Sequence, residues 1–85
     1  MKVELSQQAI DDLLEFKTGN QKLVIKVLEL IKDISRNPFD GLGKPEPLKH
    51  GYIGCWSRRI SDEHRLIYQV EDNLILVLSC KGHYI

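Results

Sequence analysis

Apolar residues recur at helical spacing in two consecutive segments of the first half of the chain. Ser6 is a favourable N-cap for the first segment. Its apolar stripe consists of Ala9, Ile10, Leu13 and Leu14. Gly19 and Asn20 are predicted to end this helix. The second segment carries a broader stripe, formed by Leu23, Val24, Val27, Leu28, Leu30, Ile31 and Ile34. Asn37 and Pro38 end it, and both stripes are predicted to face a core.

Strand patterns precede and follow the two helices. Residues 2–5 alternate between polar and apolar side chains and predict a short first strand. Three further strand patterns cover residues 53–60, 65–70 and 74–80. The last of these is apolar on both faces, as expected of a central strand. Residues 1–85 are therefore predicted to form a single α+β domain, with both helices packed on one face of a small, largely antiparallel sheet.

The composition is that of a small globular protein. The chain has 85 residues, of which 42% are apolar and 28% charged. We see no apolar signal-peptide segment, and the longest apolar run, 74–78, is too short to span a bilayer. We therefore expect a cytoplasmic protein without membrane contact. Cys55 and Cys80 are expected to be free thiols in that compartment, with a surface redox pair as the alternative.

The connection between the second helix and the following strand is long and irregular for so small a domain. Such loops are usually functional or disordered. Phe39, Leu42 and Leu48 can anchor the loop onto the core, which favours order. Within it, Glu46 stands between Pro45 and Pro47, and a following proline disfavours helical backbone. The sequence thus predicts a carboxylate presented from a short, stiff segment.

The formal net charge is zero, but the charges are unevenly distributed. Residues 44–65 carry five cationic side chains against three carboxylates. The cationic residues are Lys44, Lys49, Arg58, Arg59 and Arg65. A local basic patch can bind phosphate groups even on a neutral protein, and a solvated charged face is the alternative. Arg58 and Arg59 point to opposite faces of a strand, so only one of them can belong to any given site.

Two further positions carry candidate chemistry. His83 and Tyr84 come directly after a buried strand, whereas chain ends are normally polar and dispensable, so a frayed tail is the alternative. Arg65 opens a strand after a tight turn, which places a guanidinium at the sheet rim. The alternative for Arg65 is a surface ion pair with Asp62 or Glu63.

Other aromatic residues and the remaining histidine of this region are predicted to be structural. Trp56 and Tyr68 are interpreted as core aromatics rather than as base-stacking platforms. His64 lies in a turn and is expected to be solvated. The sequence offers no cluster of cysteine and histidine ligands, so no metal or other cofactor is required.

These candidates fit metal-free RNA cleavage, in which the ribose 2′-hydroxyl attacks its own 3′-phosphate. The reaction needs a general base, a general acid and cations that stabilise the charge on the phosphate oxygens. Glu46 can be the base, His83 the acid and Arg65 the bidentate phosphate ligand. Additional charge and a surface for stacking on a base are expected from Lys49, Arg59 and Tyr84.

Several collinear motifs give the chain a resemblance to a known family. They are Asn37-Pro-Phe-Asp-Gly41, Gly43-Lys-Pro-Glu-Pro-Leu-Lys-His50, Trp56-Ser-Arg-Arg-Ile60, Glu63-His-Arg-Leu66 and His83-Tyr84. With these motifs at matching spacing over nearly its whole length, the chain resembles the YoeB/Txe group of the RelE superfamily. The resemblance implies a RelE-like microbial RNase fold.

The resemblance also implies an activity and partners. Members of the group are known as ribosome-dependent mRNA endonucleases that cut in the ribosomal A site and stop translation. They are neutralised by an antitoxin, usually of the YefM/Phd type, and the pair binds its own operator DNA through the antitoxin complex. Homodimers are compatible with the family.

The resemblance supports the same residue roles as the chemistry. It implies Glu46 as general base, His83 as general acid and Arg65 on the transition-state phosphate. Substrate contacts are implied for Tyr84, Arg59 and Lys49. Two other functions stay open at this point: a non-catalytic module of the same fold that blocks the ribosome or acts as an antitoxin-dependent co-repressor, and a free-standing RNase.

Overall fold

The computed structural model describes residues 1–49 and 51–82, in which two helices pack on one sheet of five strands. In chain order the elements are β1 (Lys2–Leu5), α1 (Gln7–Gly19), α2 (Gln21–Arg36), β2 (Glu46–Pro47), β3 (Cys55–Arg59), β4 (Arg65–Glu71) and β5 (Leu74–Gly82). The strand order in the sheet is β1-β5-β4-β3-β2. Strand β1 pairs with β5 in parallel, and the other neighbours pair antiparallel. The predicted α+β class and the largely antiparallel sheet are confirmed.

Local signals set the helix ends where the sequence predicts them. The Ser6 hydroxyl accepts a hydrogen bond from the Ala9 amide and thereby caps α1. Asn20 serves both helices, since its amide donates to the Phe16 carbonyl while its side chain accepts from the Lys22 amide. Within the described residues, no helix has the length and apolar character needed to cross a membrane.

The main core lies between the helices and the facing side of the sheet. Its buried members include Ala9, Phe16, Val27, Leu30, Ile34, Leu66, Tyr68, Ile75 and Val77. Tyr68 is fully buried and Trp56 packs against this core, so both are core aromatics as predicted. The predicted stripes are wrong at Ile10, Leu14 and Leu28, which are 41–57% exposed. The reason is geometric: each helix rests on the sheet along a face narrower than its apolar stripe.

The connecting loop is ordered around a single buried cation. Arg58 of β3 points to the helix side of the sheet, opposite Leu66 on β4, and is 0% exposed. Its guanidinium forms an ion pair with Asp33 of α2, with a 2.6 Å distance from Nη1 to Oδ2. The same group donates to the carbonyl oxygens of Asn37, Asp40 and Leu42 at 2.5–3.1 Å. It also donates to the Tyr68 hydroxyl at 3.1 Å. One side chain thus joins helix, sheet and loop.

Further hydrogen bonds and one glycine fix the backbone of the loop around Arg58. The Leu42 amide donates to Asp33 Oδ2, and the Tyr68 hydroxyl donates to the Pro38 carbonyl at 2.6 Å. Gly41 has a φ of 124°, and a Cβ there would lie 2.1 Å from Asp33 Oδ2. Glycine is therefore required at this position by backbone conformation and by space.

Only one of the three apolar residues predicted to anchor the loop is buried. Leu48 is buried as expected, whereas Phe39 and Leu42 are 55% and 50% exposed. Phe39 still contacts the Trp56 ring, with 5.0 Å between ring centroids. Hydrogen bonds to Arg58 hold the backbone of this segment, so apolar burial is needed only at its far end.

We predict that Arg58→Met destabilises the protein by about 3 kcal/mol, because it strands a carboxylate and three carbonyl groups without their buried donor. Urea denaturation followed by circular dichroism measures the change. Arg36→Met, at an exposed arginine of the same helix–loop region, is the matched control and should change the free energy of unfolding by less than about 0.5 kcal/mol. Equal effects of the two substitutions would contradict the role of Arg58.

The ion pair also predicts a pH dependence. Hydrogen bonds from the Leu42 amide and from Arg58 hold the pKa of Asp33 below its ordinary value of 3.8. A carboxylate with a lowered folded-state pKa stabilises the fold above its unfolded-state value, and this contribution is lost as the pH falls through the folded-state value. The stability advantage of the wild type over Asp33→Asn should therefore be constant near neutral pH and shrink below pH 3.8. A difference independent of pH, in urea titrations across this range, would disprove it.

Candidate functional site

Three of the predicted site residues, Glu46, Arg59 and Arg65, lie on the face of the sheet away from the helices, which we call the distal face. It is defined here by Glu46 on β2, Ser57 and Arg59 on β3, and Arg65 and Ile67 on β4. Glu46 is paired with Ser57, Ser57 with Ile67, and Arg59 with Arg65. Directly paired residues of neighbouring strands point to the same side. A carboxylate and two guanidinium groups therefore share one surface.

Glu46 lies on an edge strand, between its two prolines, rather than in a free loop. Strand β2 is only two residues long, and Glu46 is exposed on it. The backbone is hydrogen-bonded on both sides of this residue: the Arg59 amide donates to the Gly43 carbonyl at 2.7 Å, and the Leu48 amide donates to the Cys55 carbonyl at 2.9 Å. The predicted stiff presentation of the carboxylate thus has a tertiary support that the sequence does not reveal.

Arg59 and Arg65 form a cross-strand pair of like charge. Arg59 ends β3, Arg65 begins β4, and both are half-buried. The pairing brings two guanidinium groups to neighbouring positions on the distal face. Arg58 does not belong to the basic surface, because it is buried on the other face, as the alternation of the two arginines predicts.

For the remaining predicted site residues, the structure gives only the exposure of Lys49. Lys49 is exposed just after β2. His83 and Tyr84 lie outside the described residues, as does His50 of the proline-rich motif. Gly82, which precedes His83 in the sequence, is paired with Arg65 at the end of β5.

A buried carboxylate fixes the end of β5, and sequence reasoning missed it. Asp12 of α1 is 3% exposed, and its Oδ2 accepts from the amides of Cys80 and Lys81 at 2.8 and 3.2 Å. Lys81 also forms an ion pair with Glu15. The sequence did carry a signal for it. Asp12 lies three residues after Ala9 and directly before Leu13, so it falls on the apolar face of the helix and interrupts the core-facing stripe.

The prediction that His64 is solvated is wrong. It is half-buried, with its ring 5.0 Å from that of Phe16. The reason is the turn before β4: the amides of Ile60 and Ser61 donate to the His64 carbonyl, which folds the turn back onto α1.

Both cysteines are free and buried, as predicted for thiols, and the alternative of a surface redox pair is wrong. Burial raises the pKa of the Cys55 thiol. Burial, together with the charge of Asp12, raises the pKa of Cys80 to about 12. Thiols of this kind are poor nucleophiles and metal ligands. The described part of the chain contains no group of three or more His, Cys, Asp or Glu side chains arranged to hold a metal ion.

Gly82 fits tightly against the distal face. A Cβ at this position would lie 2.3 Å from Ile67 Cγ1 and 3.2 Å from the Arg65 carbonyl oxygen. Ile67 in turn belongs to a small apolar cluster with Leu48, Cys55 and Leu78. The end of β5 can therefore approach β4 closely only because residue 82 has no side chain.

The fold and this face define a small α+β protein with one acidic and two basic groups on three neighbouring strands. Residues 5–84 match the family described as YoeB-like toxin of bacterial type II toxin-antitoxin system. A toxin YoeB of Escherichia coli K12 is 50% identical over 84 residues, which are 99% of this chain and 100% of that protein.

Solved structures agree with the sequence comparison. A YoeB dimer from Staphylococcus aureus is 47% identical, with a TM-score of 0.91. A heterotetrameric YoeB-YefM toxin-antitoxin complex from the same organism is 47% identical, with a TM-score of 0.87. Each comparison covers 99% of this chain and 98% of the other. The chain belongs to the YoeB-like toxins of type II toxin-antitoxin systems, and the family resemblance seen in the sequence is confirmed.

We predict that Gly82→Ala destabilises the protein by about 1–3 kcal/mol, because its methyl group would overpack against Ile67. In an Ile67→Ala background the same substitution should cost less, since both nearest side-chain atoms are then gone. Urea denaturation of the four proteins of this double-mutant cycle measures the coupling.

Gly19→Ala is the control for this cycle, because a Cβ at that position would have no atom within 4 Å apart from its chain neighbours and the backbone of its own helix. It should leave the free energy of unfolding unchanged or raise it by up to about 1 kcal/mol, because alanine has a higher helix propensity than glycine. Additive effects of Gly82→Ala and Ile67→Ala would show that the close approach does not constrain residue 82.

Proposed function

We propose that this toxin is a ribosome-dependent, metal-independent endoribonuclease that inhibits translation by cutting mRNA. The observation that carries the proposal is the shared distal face of Glu46, Arg59 and Arg65, which brings a carboxylate and two guanidinium groups to one surface. A general base and a phosphate-binding pair are two of the three elements that metal-free RNA cleavage requires. The third, a general acid, is assigned to His83.

The proposed reaction is an internal transesterification. Glu46 accepts the proton of the ribose 2′-hydroxyl as the 2′-oxygen attacks the adjacent phosphorus. The bond from phosphorus to the 5′-oxygen of the next nucleotide breaks, and His83 donates a proton to that oxygen. The products are a 2′,3′-cyclic phosphate and a free 5′-hydroxyl. Each proton transfer is expected to contribute roughly 10²–10⁴ in rate.

The cationic residues stabilise the phosphate in this scheme. Arg65 binds two phosphate oxygens through its planar guanidinium, and Arg59, opposite it, adds positive charge. A phosphate bound on the distal face could interact with both of these paired arginines. Lys49 and Tyr84 are assigned to contacts with the substrate, as charge and as a stacking surface respectively.

The proposed partners follow from the family. The solved relatives include a complex with YefM and a YoeB dimer, which supports a YefM/Phd-type antitoxin and a homodimer for this chain. The ribosome with its A-site mRNA is the proposed target, and operator DNA is proposed to be contacted only through the antitoxin complex. The site of action is then the cytoplasm.

Induction in growing cells tests the catalytic assignment. The wild type should arrest growth, whereas Glu46→Gln and His83→Gln should each lose most of the effect, because each removes one proton-transfer group. Glu29→Gln, at an exposed carboxylate of α2, is the matched control and should arrest growth like the wild type. Comparable protein levels are verified by immunoblotting. Undiminished arrest by both site variants would favour the non-catalytic ribosome-blocking module instead.

Primer extension on a reporter mRNA then separates the two enzymatic alternatives. Purified wild-type protein should cut mRNA placed in the A site of programmed ribosomes and leave the same free RNA largely intact. Equal cleavage of free and ribosome-bound RNA would identify a free-standing RNase.

A further inference from the structure

The side chain of Ser57 lies at the centre of the distal face, and its hydroxyl has no role in the proposed reaction. Ser57 is 0% exposed. Among the described residues its hydroxyl has no hydrogen-bond partner. A buried hydroxyl without a partner destabilises a protein relative to an alanine of the same backbone. Such a group is uncommon in native structures and requires an explanation.

The neighbours of Ser57 show which group it can reach. Along β3 the residues on the same face are Cys55 and Arg59, and across the strands they are Glu46 and Ile67. Ile67 is apolar, Arg59 offers only donors, and Cys55 is a neutral thiol that accepts hydrogen bonds weakly. Among these four side chains, the carboxylate of Glu46 is the strong acceptor for a hydroxyl proton.

Burial also determines how Ser57 can act. With no exposed surface, the hydroxyl is not placed to touch RNA directly, whereas Glu46 is exposed on its edge strand. Directly paired residues of antiparallel strands have Cβ atoms about 5 Å apart, a separation that a glutamate and a serine side chain can bridge. Any influence of Ser57 on the reaction must therefore pass through a neighbour.

We propose that Ser57 is a positioning residue that donates a hydrogen bond to the carboxylate of Glu46 when RNA occupies the distal face. One carboxylate oxygen accepts this bond, and the other is directed at the 2′-hydroxyl. Catalytic hydrogen bonds are often long or poorly aligned before substrate binds and tighten only in the complex. Fixing an exposed glutamate in one rotamer removes conformational freedom before the reaction begins. The inference rests on the proposed function of Glu46 as general base.

Single-turnover cleavage of mRNA on programmed ribosomes tests this role, with Ser57→Ala, Ser57→Thr and the wild type compared. Ser57→Ala should lower the maximal rate about tenfold, the effect of losing one hydrogen bond to a charged group. The ribosome concentration that gives half the maximal rate should stay unchanged, because Ser57 does not touch RNA. Ser57→Thr keeps the hydroxyl and should stay within about threefold of the wild-type rate.

Thermal unfolding of the same proteins separates positioning from a structural role. Ser57→Ala should unfold at the same temperature as the wild type or higher, since it removes an unpaired buried hydroxyl. Lower activity together with undiminished stability is the signature expected. Ser79→Ala, at a half-buried serine of β5 that is also paired with Ile67, is the matched control and should leave the cleavage rate unchanged.

Two outcomes would overturn the inference, and they are distinguishable. Wild-type protein that fails to cut ribosome-bound mRNA would remove the proposed function and, with it, the role of Ser57. Cleavage at the same maximal rate by wild type and Ser57→Ala, or a loss in Ser57→Ala that Ser57→Thr shares, would overturn the role of Ser57 alone.

Discussion

The buried guanidinium of Arg58 is the interaction on which the rest of this structure depends. A chain of 85 residues has a small core, and its longest connection leaves many backbone carbonyl groups to satisfy. Arg58 binds three of them while it pairs with Asp33 and contacts Tyr68. An arginine suits this position because its planar group presents five donors in fixed directions. A buried cation thus replaces the apolar packing that this loop lacks, since Phe39 and Leu42 are exposed.

Strand β3 connects this interaction to the distal face. Successive residues of a strand point to opposite sides, so Arg58 holds the loop from the helix side while Ser57 and Arg59 lie on the distal face. The same loop continues into β2, where the Arg59 amide bonds to the Gly43 carbonyl and Glu46 follows three residues later. At the other end of the site, Asp12 holds β5 just before His83. Buried charges therefore fix the backbone on both sides of the proposed site.

Much of the fold could be predicted because its signals are local. The caps at Ser6 and Asn20, the helix end at Asn37 and the four main strands all follow from short sequence patterns, and the structure has them there. The alternation of Arg58 and Arg59 likewise indicated that only one faces the site. Local patterns predicted the wrong exposure for Leu28 and His64. The burial of Leu28 depends on the width of the contact between helix and sheet, and the burial of His64 depends on where the turn before β4 folds back. Neither property is encoded within a few residues.

The sequence by itself determined the α+β class, the family, the stiff presentation of Glu46 and the residue types that the proposed RNA cleavage needs. Only the tertiary structure decided which of these residues share a face, that Arg58 supports the loop instead of binding phosphate, and that Gly82 lets β5 approach Ile67. The physical reason is that periodicity, capping and proline geometry act over a few residues. Cross-strand register, buried carboxylates and close backbone approach join residues up to 72 positions apart, as the pairing of Lys2 with Leu74 shows. Ser57 belongs to this second group, since only the register pairs it with Glu46.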